Sequence, residues 1–156
     1  MLFRSETPRE DVDAAPWLPE GDADLLSMAA DLEARGEFEA AAEALRALLQ
    51  AAGPSAAVSF MLAELLYRCG DHGAARERYY MAIELEPDHL EARTSLACVL
   101  AELGDEELAV AALEGVLQVQ PDYADAHWHL AGIAARRGRR RDEERFLRAF
   151  VALAPD

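Results

Sequence analysis

Small and large apolar positions recur along this chain at a fixed interval. Measured from Gly36, Gly70, Gly104 and Gly138, which stand 34 residues apart, Ala29, Ala63, Ala97 and Ala131 lie seven residues before. Met28, Leu62, Leu96 and Leu130 lie eight before, and Leu45, Tyr79, Leu113 and Leu147 nine after. Ala41, Ala75 and Ala109 lie five after, with Glu143 breaking that series in the last unit. Seventeen after each glycine come Gly53, Pro87, Pro121 and Pro155. Self-similarity at such a period marks a stack of like supersecondary units. Each unit reads as a helical hairpin. The glycine takes a positive φ and ends the first helix. The proline stops the second, because it cannot continue the hydrogen-bond ladder. The alanines on either side of the turn let the two axes approach closely, and the Leu, Met and Tyr positions fill the space around them.

This spacing resembles the tetratricopeptide repeat family over about residues 22–156, in units 22–55, 56–89, 90–123 and 124–156. The segments GDHGAARERYYMAIELEPD and GDEELAVAALEGVLQVQPD carry the family's Gly, Ala, large apolar and Pro marks in register. The resemblance implies an all-α fold, a right-handed superhelical solenoid of four antiparallel helix pairs. The first unit departs by ending in Gly53-Pro54. The fourth departs with Glu143 and Phe150 where small residues are usual, so its second helix is expected to pack differently. The family lines its concave face with the first helix of each unit. The resemblance therefore implies a peptide-binding groove at Leu26, Phe60, Glu64, Tyr67, Thr94, Cys98, Trp128 and Arg136. Phe60, Tyr67 and Trp128 are its large anchors; the alternative for Phe60 and Trp128 is packing between units. Some members grip the C-terminal carboxylate of heat-shock chaperones with Lys, Arg and Asn. Leu26, Ala30, Phe60 and Glu64 stand at those positions here, so that clamp is missing.

Composition agrees with helices. Ala fills 33 of 156 positions, and Val, Ile and aromatic residues are sparse. Thirty acids oppose 15 bases, all of them Arg, for a net charge of −15. Such a field repels phosphate backbones, which argues against nucleic acid. The charge is uneven: residues 1–135 hold 8 Arg and 26 acids, residues 136–156 hold 7 Arg and 4 acids. Two cysteines make no disulfide framework. No signal-peptide or membrane-length apolar run is present, so a cytoplasmic location is expected. Residues 1–21, with Pro8, Pro16 and Pro19, read as a flexible acidic N-terminal arm. Its Trp17 and Leu18 either fold back over the first repeat or stay free. Asp22 or Asp24 is the expected N-cap of the first helix.

Nothing in the sequence supports catalysis. No phosphate-binding loop, nucleophile elbow or zinc-helix motif occurs. His127 and His129, two apart on a helix, point to different sides and cannot share a metal as a local pair. Cys69 and Cys98 read as structural thiols, with Cys98 facing the groove. No metal and no cofactor is expected. The run ARRGRRRDEER, residues 135–145, reads as a solvated turn or as a contact for an acidic surface. Phe146, Leu147, Phe150, Val151 and Leu153 cannot all face inward on one helix, which leaves apolar surface exposed. Self-association of the C-terminal repeat into a homo-oligomer, a longer parent protein, or cover by the N-terminal arm would each explain it. The expected function is a non-catalytic scaffold that holds a partner segment with apolar and basic residues. The alternatives are a chaperone like those of type III secretion translocators, suggested by size and acidity, or the regulatory repeats of a larger enzyme or transcription regulator.

Overall fold

A computed structural model describes residues 21–154. Eight helices and no strand occur among them: α1 Asp22–Ala34, α2 Phe38–Ala52, α3 Ala56–Arg68, α4 His72–Leu85, α5 Leu90–Glu102, α6 Glu106–Val119, α7 Ala124–Arg136 and α8 Arg140–Leu153. They form four antiparallel pairs, α1–α2 to α7–α8. Each pair packs on the next through its second helix, and α5 also touches α7. The result is a right-handed solenoid of the kind the family resemblance implies.

The turn inside each pair is the same motif four times. Gly36, Gly70, Gly104 and Gly138 all have φ between +69° and +92°. Only a residue without Cβ takes that conformation cheaply. The backbone N–H of the following residue then donates to the carbonyl five positions back, as Glu37 to Leu32 (2.9 Å) and Asp105 to Leu100 (2.8 Å). These bonds satisfy carbonyls that the helix end would leave unpaired. The residue after the glycine also starts the second helix, and in the second unit Asp71 accepts from the Ala74 N–H at 3.1 Å.

The turns between pairs vary. Gly53, at φ +88°, ends α2, and the Ser55 hydroxyl accepts from the Val58 N–H at 3.3 Å to start α3. The Pro87 carbonyl accepts from Arg93 Nε at 2.7 Å, and the Pro121 carbonyl from His127 Nε2 at 2.9 Å. His89 Nδ1 accepts from the Ala92 N–H at 3.1 Å and caps α5. Two sequence expectations fall at the ends. Asp22 and Asp24 do not cap α1: the N-cap is Gly21, and both acids lie inside the first turn. There they face the positive end of the helix dipole, which favours a carboxylate without any capping bond. The arm with Trp17 and Leu18 lies outside the described residues, as does Pro155.

The core is a continuous strip along the stack. Ala41, Ala75 and Ala109 have no exposed surface, and Ala29, Ala63, Ala97 and Ala131 have almost none. Leu45, Leu62, Tyr79, Leu113 and Val116 fill the space beside them. Each buried Leu contributes roughly 1.5–3 kcal/mol by leaving water. The last pair differs. α8 buries no residue fully, with Glu143 and Phe150 at two of the inward positions.

Leu113→Ala should cost about 2–5 kcal/mol of unfolding free energy, since the residue is wholly buried. Leu108→Ala on the same helix, where the side chain is 56% exposed, should cost less than about 0.5 kcal/mol. Urea unfolding followed by circular dichroism measures both.

Candidate functional site

The first helices of the last three pairs line a cavity of about 630 Å³. Its walls are Tyr67 from α3, Ala97, Cys98, Ala101 and Glu102 from α5, and Trp128, His129, Ala131, Gly132, Ala135 and Arg136 from α7. Glu143 and Leu147 of α8 close the far end. The alanines and Gly132 give the space its depth, because nothing longer projects from α5 and α7 at those positions. The wall is mostly hydrocarbon, with Glu102, Arg136 and Glu143 as charged groups on it.

Of the eight groove positions, the cavity brings together Tyr67, Cys98, Trp128 and Arg136. The other four lie outside its wall. Leu26 is 41% exposed on α1. Phe60 is half-buried and rests against His89 and Tyr79, at ring-centroid distances of 4.7 and 6.0 Å. It packs between helices rather than standing as a free anchor. Glu64 accepts the hydroxyl proton of Tyr79. Thr94 is buried, and its hydroxyl donates to the Leu90 carbonyl at 2.8 Å. The resemblance placed it in the groove, but the hydroxyl bonds its own helix instead, as Thr does in helix interiors.

Trp128 is 52% exposed, with Phe150 of α8 beside it at 5.1 Å between centroids. Tyr67 donates its hydroxyl proton to Glu102 and stacks on His72 at 5.1 Å. That hydrogen bond to a carboxylate, with burial second, pushes the phenol up to about 12. Cys98 Sγ lies 3.3 Å from both ring nitrogens of His129. Burial, then the carboxylates of Glu102, Glu64 and Asp125, pushes the thiol up to about 11. Burial also lowers the imidazole of His129 below its ordinary range, with Asp125 opposing. Both partners are therefore neutral at physiological pH. A nucleophilic Cys–His pair needs the opposite, a thiolate beside an imidazolium.

His127 points away from His129, onto the Pro121 carbonyl and beside Phe146. Among the described residues no group of three or more His, Cys, Asp or Glu side chains could hold a metal ion. Both cysteines carry free thiols. Of the Arg-rich run, Arg137 and Arg136 both pair with Glu106, at 2.9 and 3.2 Å, and hold its carboxyl below the usual range. No described helix is long and apolar enough to cross a membrane. Sequence reasoning missed His129, Glu143 and Leu147 as wall residues. Leu147 and Glu143 read as inward core positions, and the inner face of α8 places them at the end of the cavity.

A tetratricopeptide repeat model matches residues 26–89 and 94–156. A probable biofilm formation methyltransferase, WspC of Pseudomonas aeruginosa, is 39% identical over 87 residues, or 56% of this chain. The chain spans only 20% of that relative's length. Among solved structures, the crystal structure of MamA superposes with a TM-score of 0.79 at 19% identity, over 86% of this chain and 79% of that one. YrrB, described as a TPR protein with an unusual peptide-binding site, superposes at 0.77 and 20% identity, over 87% and 70%. A tetratricopeptide repeat protein from Parabacteroides merdae gives 0.79 at 19%, over 88% and 54%. At these identities the structures establish the fold alone.

The buried, neutral His129 makes stability depend on pH. Above its ordinary value of 6.5 neither state holds the proton, so the group contributes no slope. Below that value the unfolded chain takes up a proton that the folded chain resists, so stability falls with pH until the folded group also titrates. Between about pH 7.5 and 5.5, His129→Gln should lose less urea resistance than the wild type. Equal losses would show that His129 is not the group responsible. With so little thiolate, Cys98 should also react with a disulfide reagent more slowly than an exposed cysteine at pH 8.

Proposed function

The chain belongs to the tetratricopeptide repeat family, and we propose that it is a non-catalytic interaction module holding a partner segment in its concave groove. Proteins of this family are generally protein-interaction scaffolds, and YrrB is a peptide-binding example. The observation that carries the reading is the cavity of about 630 Å³, apolar along most of its wall and open on the face formed by α3, α5 and α7. Its half-exposed Trp128 supplies the rigid aromatic surface that anchors binding energy in such concavities. Glu102 and Arg136 on the wall supply charges of both signs. The ligand that fits is an extended or helical segment with one or two large apolar side chains. A basic residue on it would lie near Glu102 or Glu143, the two acids on the wall. The neutral Cys98–His129 pair offers a polarizable floor and no reactive group. The two free thiols favour a reducing compartment.

A second reading is favoured by the match to WspC: the repeats serve as the interaction segment of a larger protein that carries a methyltransferase. The groove would then receive a segment that directs or restrains the attached enzyme. The native protein isolated from its own cells decides between them. A mass near 17.1 kDa fits the free module, and one several times larger fits the attached segment.

Gly132→Leu tests the groove directly. A side chain added there has open space, since the nearest atom to a new Cβ is Arg136 Nη1 at 3.9 Å. The change should plug the cavity and raise helix stability by up to about 1 kcal/mol through propensity. Partners captured by the wild type should be lost by this variant while its melting temperature holds or rises. Capture of the same partners by Gly132→Leu would refute groove binding.

A further inference from the structure

The three junctions between successive pairs repeat one geometry with changing chemistry. The residue that opens each second helix meets the residue thirty positions later, near the end of the next first helix. Phe38 takes the guanidinium of Arg68 over its ring at 5.4 Å. His72 pairs with Glu102 at 3.3 Å. Glu106 pairs with Arg136 at 3.2 Å. In the same register Arg140 opens α8. It is 87% exposed, and its ion pair is to Glu144 of its own helix.

The apolar positions follow the same rule. Leu49, Ile83 and Leu117 are half-buried against the core, while Val151 in that register is 68% exposed. The difference is what a following first helix would cover. α1 shows which positions of such a helix make the contact. Asp24 and Asp31 are exposed, whereas their counterparts Ala92 and Ala126, and Leu65, Val99 and Ile133, are buried. Burial at those positions therefore comes from the preceding pair.

We propose that the outer face of α8, with Arg140 and Val151 at its centre, docks an amphipathic helix of a partner protein. That helix is apolar in the register of Ala92 and Val99, and acidic in the register of Glu102. The sign follows from Arg140, which takes the place of Phe38, His72 and Glu106: its exposed pairing with Glu144 is a weak one, and a carboxylate on the docked helix gives the guanidinium a partner across the junction. Residues 136–154 carry seven arginines against three acids, so the local field also attracts an acidic helix. A second copy does not fit in this register. Its exposed α1 would bring Asp24 and Asp31 against Val151, and Ala34 opposite Arg140. This surface is separate from the groove cavity, and the proposal stands without groove binding.

Helix α5 already has the required pattern, so a labelled peptide of residues 88–104 with Cys98→Ser serves as the probe for the full chain. Fluorescence anisotropy should show saturable binding. A peptide of residues 20–36, with its two misplaced aspartates, should not bind. Glu102→Arg in the first peptide should weaken it about fivefold or more, and Arg140→Glu in the full chain should restore that peptide. Val151→Asp should weaken the original peptide about tenfold or more, with the helical circular dichroism unchanged because the residue is exposed. The proposal is overturned by no saturable binding, or by binding indifferent to Val151→Asp and Arg140→Glu. It is equally overturned if Gly132→Leu abolishes binding, which would place the peptide in the groove. A concentration-dependent dimer that Val151→Asp abolishes would make a second copy the occupant and likewise overturn it.

Discussion

Buried alanines on both helices permit the close approach that closes each of the first three pairs, and the rest of the solenoid depends on it. Ala63 and Ala75, or Ala97 and Ala109, have no exposed surface at all. A larger side chain at either place would push the axes apart and tilt the pair against its neighbours, because a close-packed interior cannot absorb extra methylenes without strain. With the same small residues in three successive pairs, the pairs stack with the same offset, and the concave face follows. In the fourth pair Glu143 stands where the alanine would be. α8 buries none of its side chains fully, and among the described residues no following helix covers its outer face. Glu143 and Leu147 stand at the end of the cavity, and Trp128 leans on Phe150.

The junction pairs serve a different purpose. Each involves side chains with substantial exposure, so each contributes at most about 1 kcal/mol. Their value lies in not being interchangeable. Arg68 is received by Phe38 and by Glu33 at 3.0 Å, Glu102 by His72 and Tyr67, and Arg136 by Glu106. Shifting the stack by one unit would place Glu106 against Glu102, or leave Arg68 facing His72. Mismatched neighbours of this kind disfavour a slipped arrangement of otherwise similar pairs.

The fold was legible because it rests on requirements that single residues reveal. A positive φ selects glycine, a close helix approach selects alanine, and both recur at 34-residue intervals. Helix ends were less legible: Asp22 and Asp24 look like caps, but Gly21 already supplies the extended backbone from which α1 starts. The groove was half legible. Tyr67, Cys98, Trp128 and Arg136 follow from their place on the first helices. Thr94 carries no sign that its hydroxyl turns back to the Leu90 carbonyl, and Phe60 none that His89 and Tyr79 enclose it. The junction pairs escape sequence reading altogether. Their spacing is constant, but Phe–Arg, His–Glu and Glu–Arg share no residue pattern.

The two carboxylates on the outer side of α1 give the stack a direction in its own ancestry. A unit duplicated behind α8 finds an apolar face with a cation ready for it. A unit duplicated ahead of α1 would have to bury Asp24 and Asp31 without partners, at a cost of several kcal/mol each. Lengthening by tandem duplication is therefore easy at one end and needs two prior substitutions at the other.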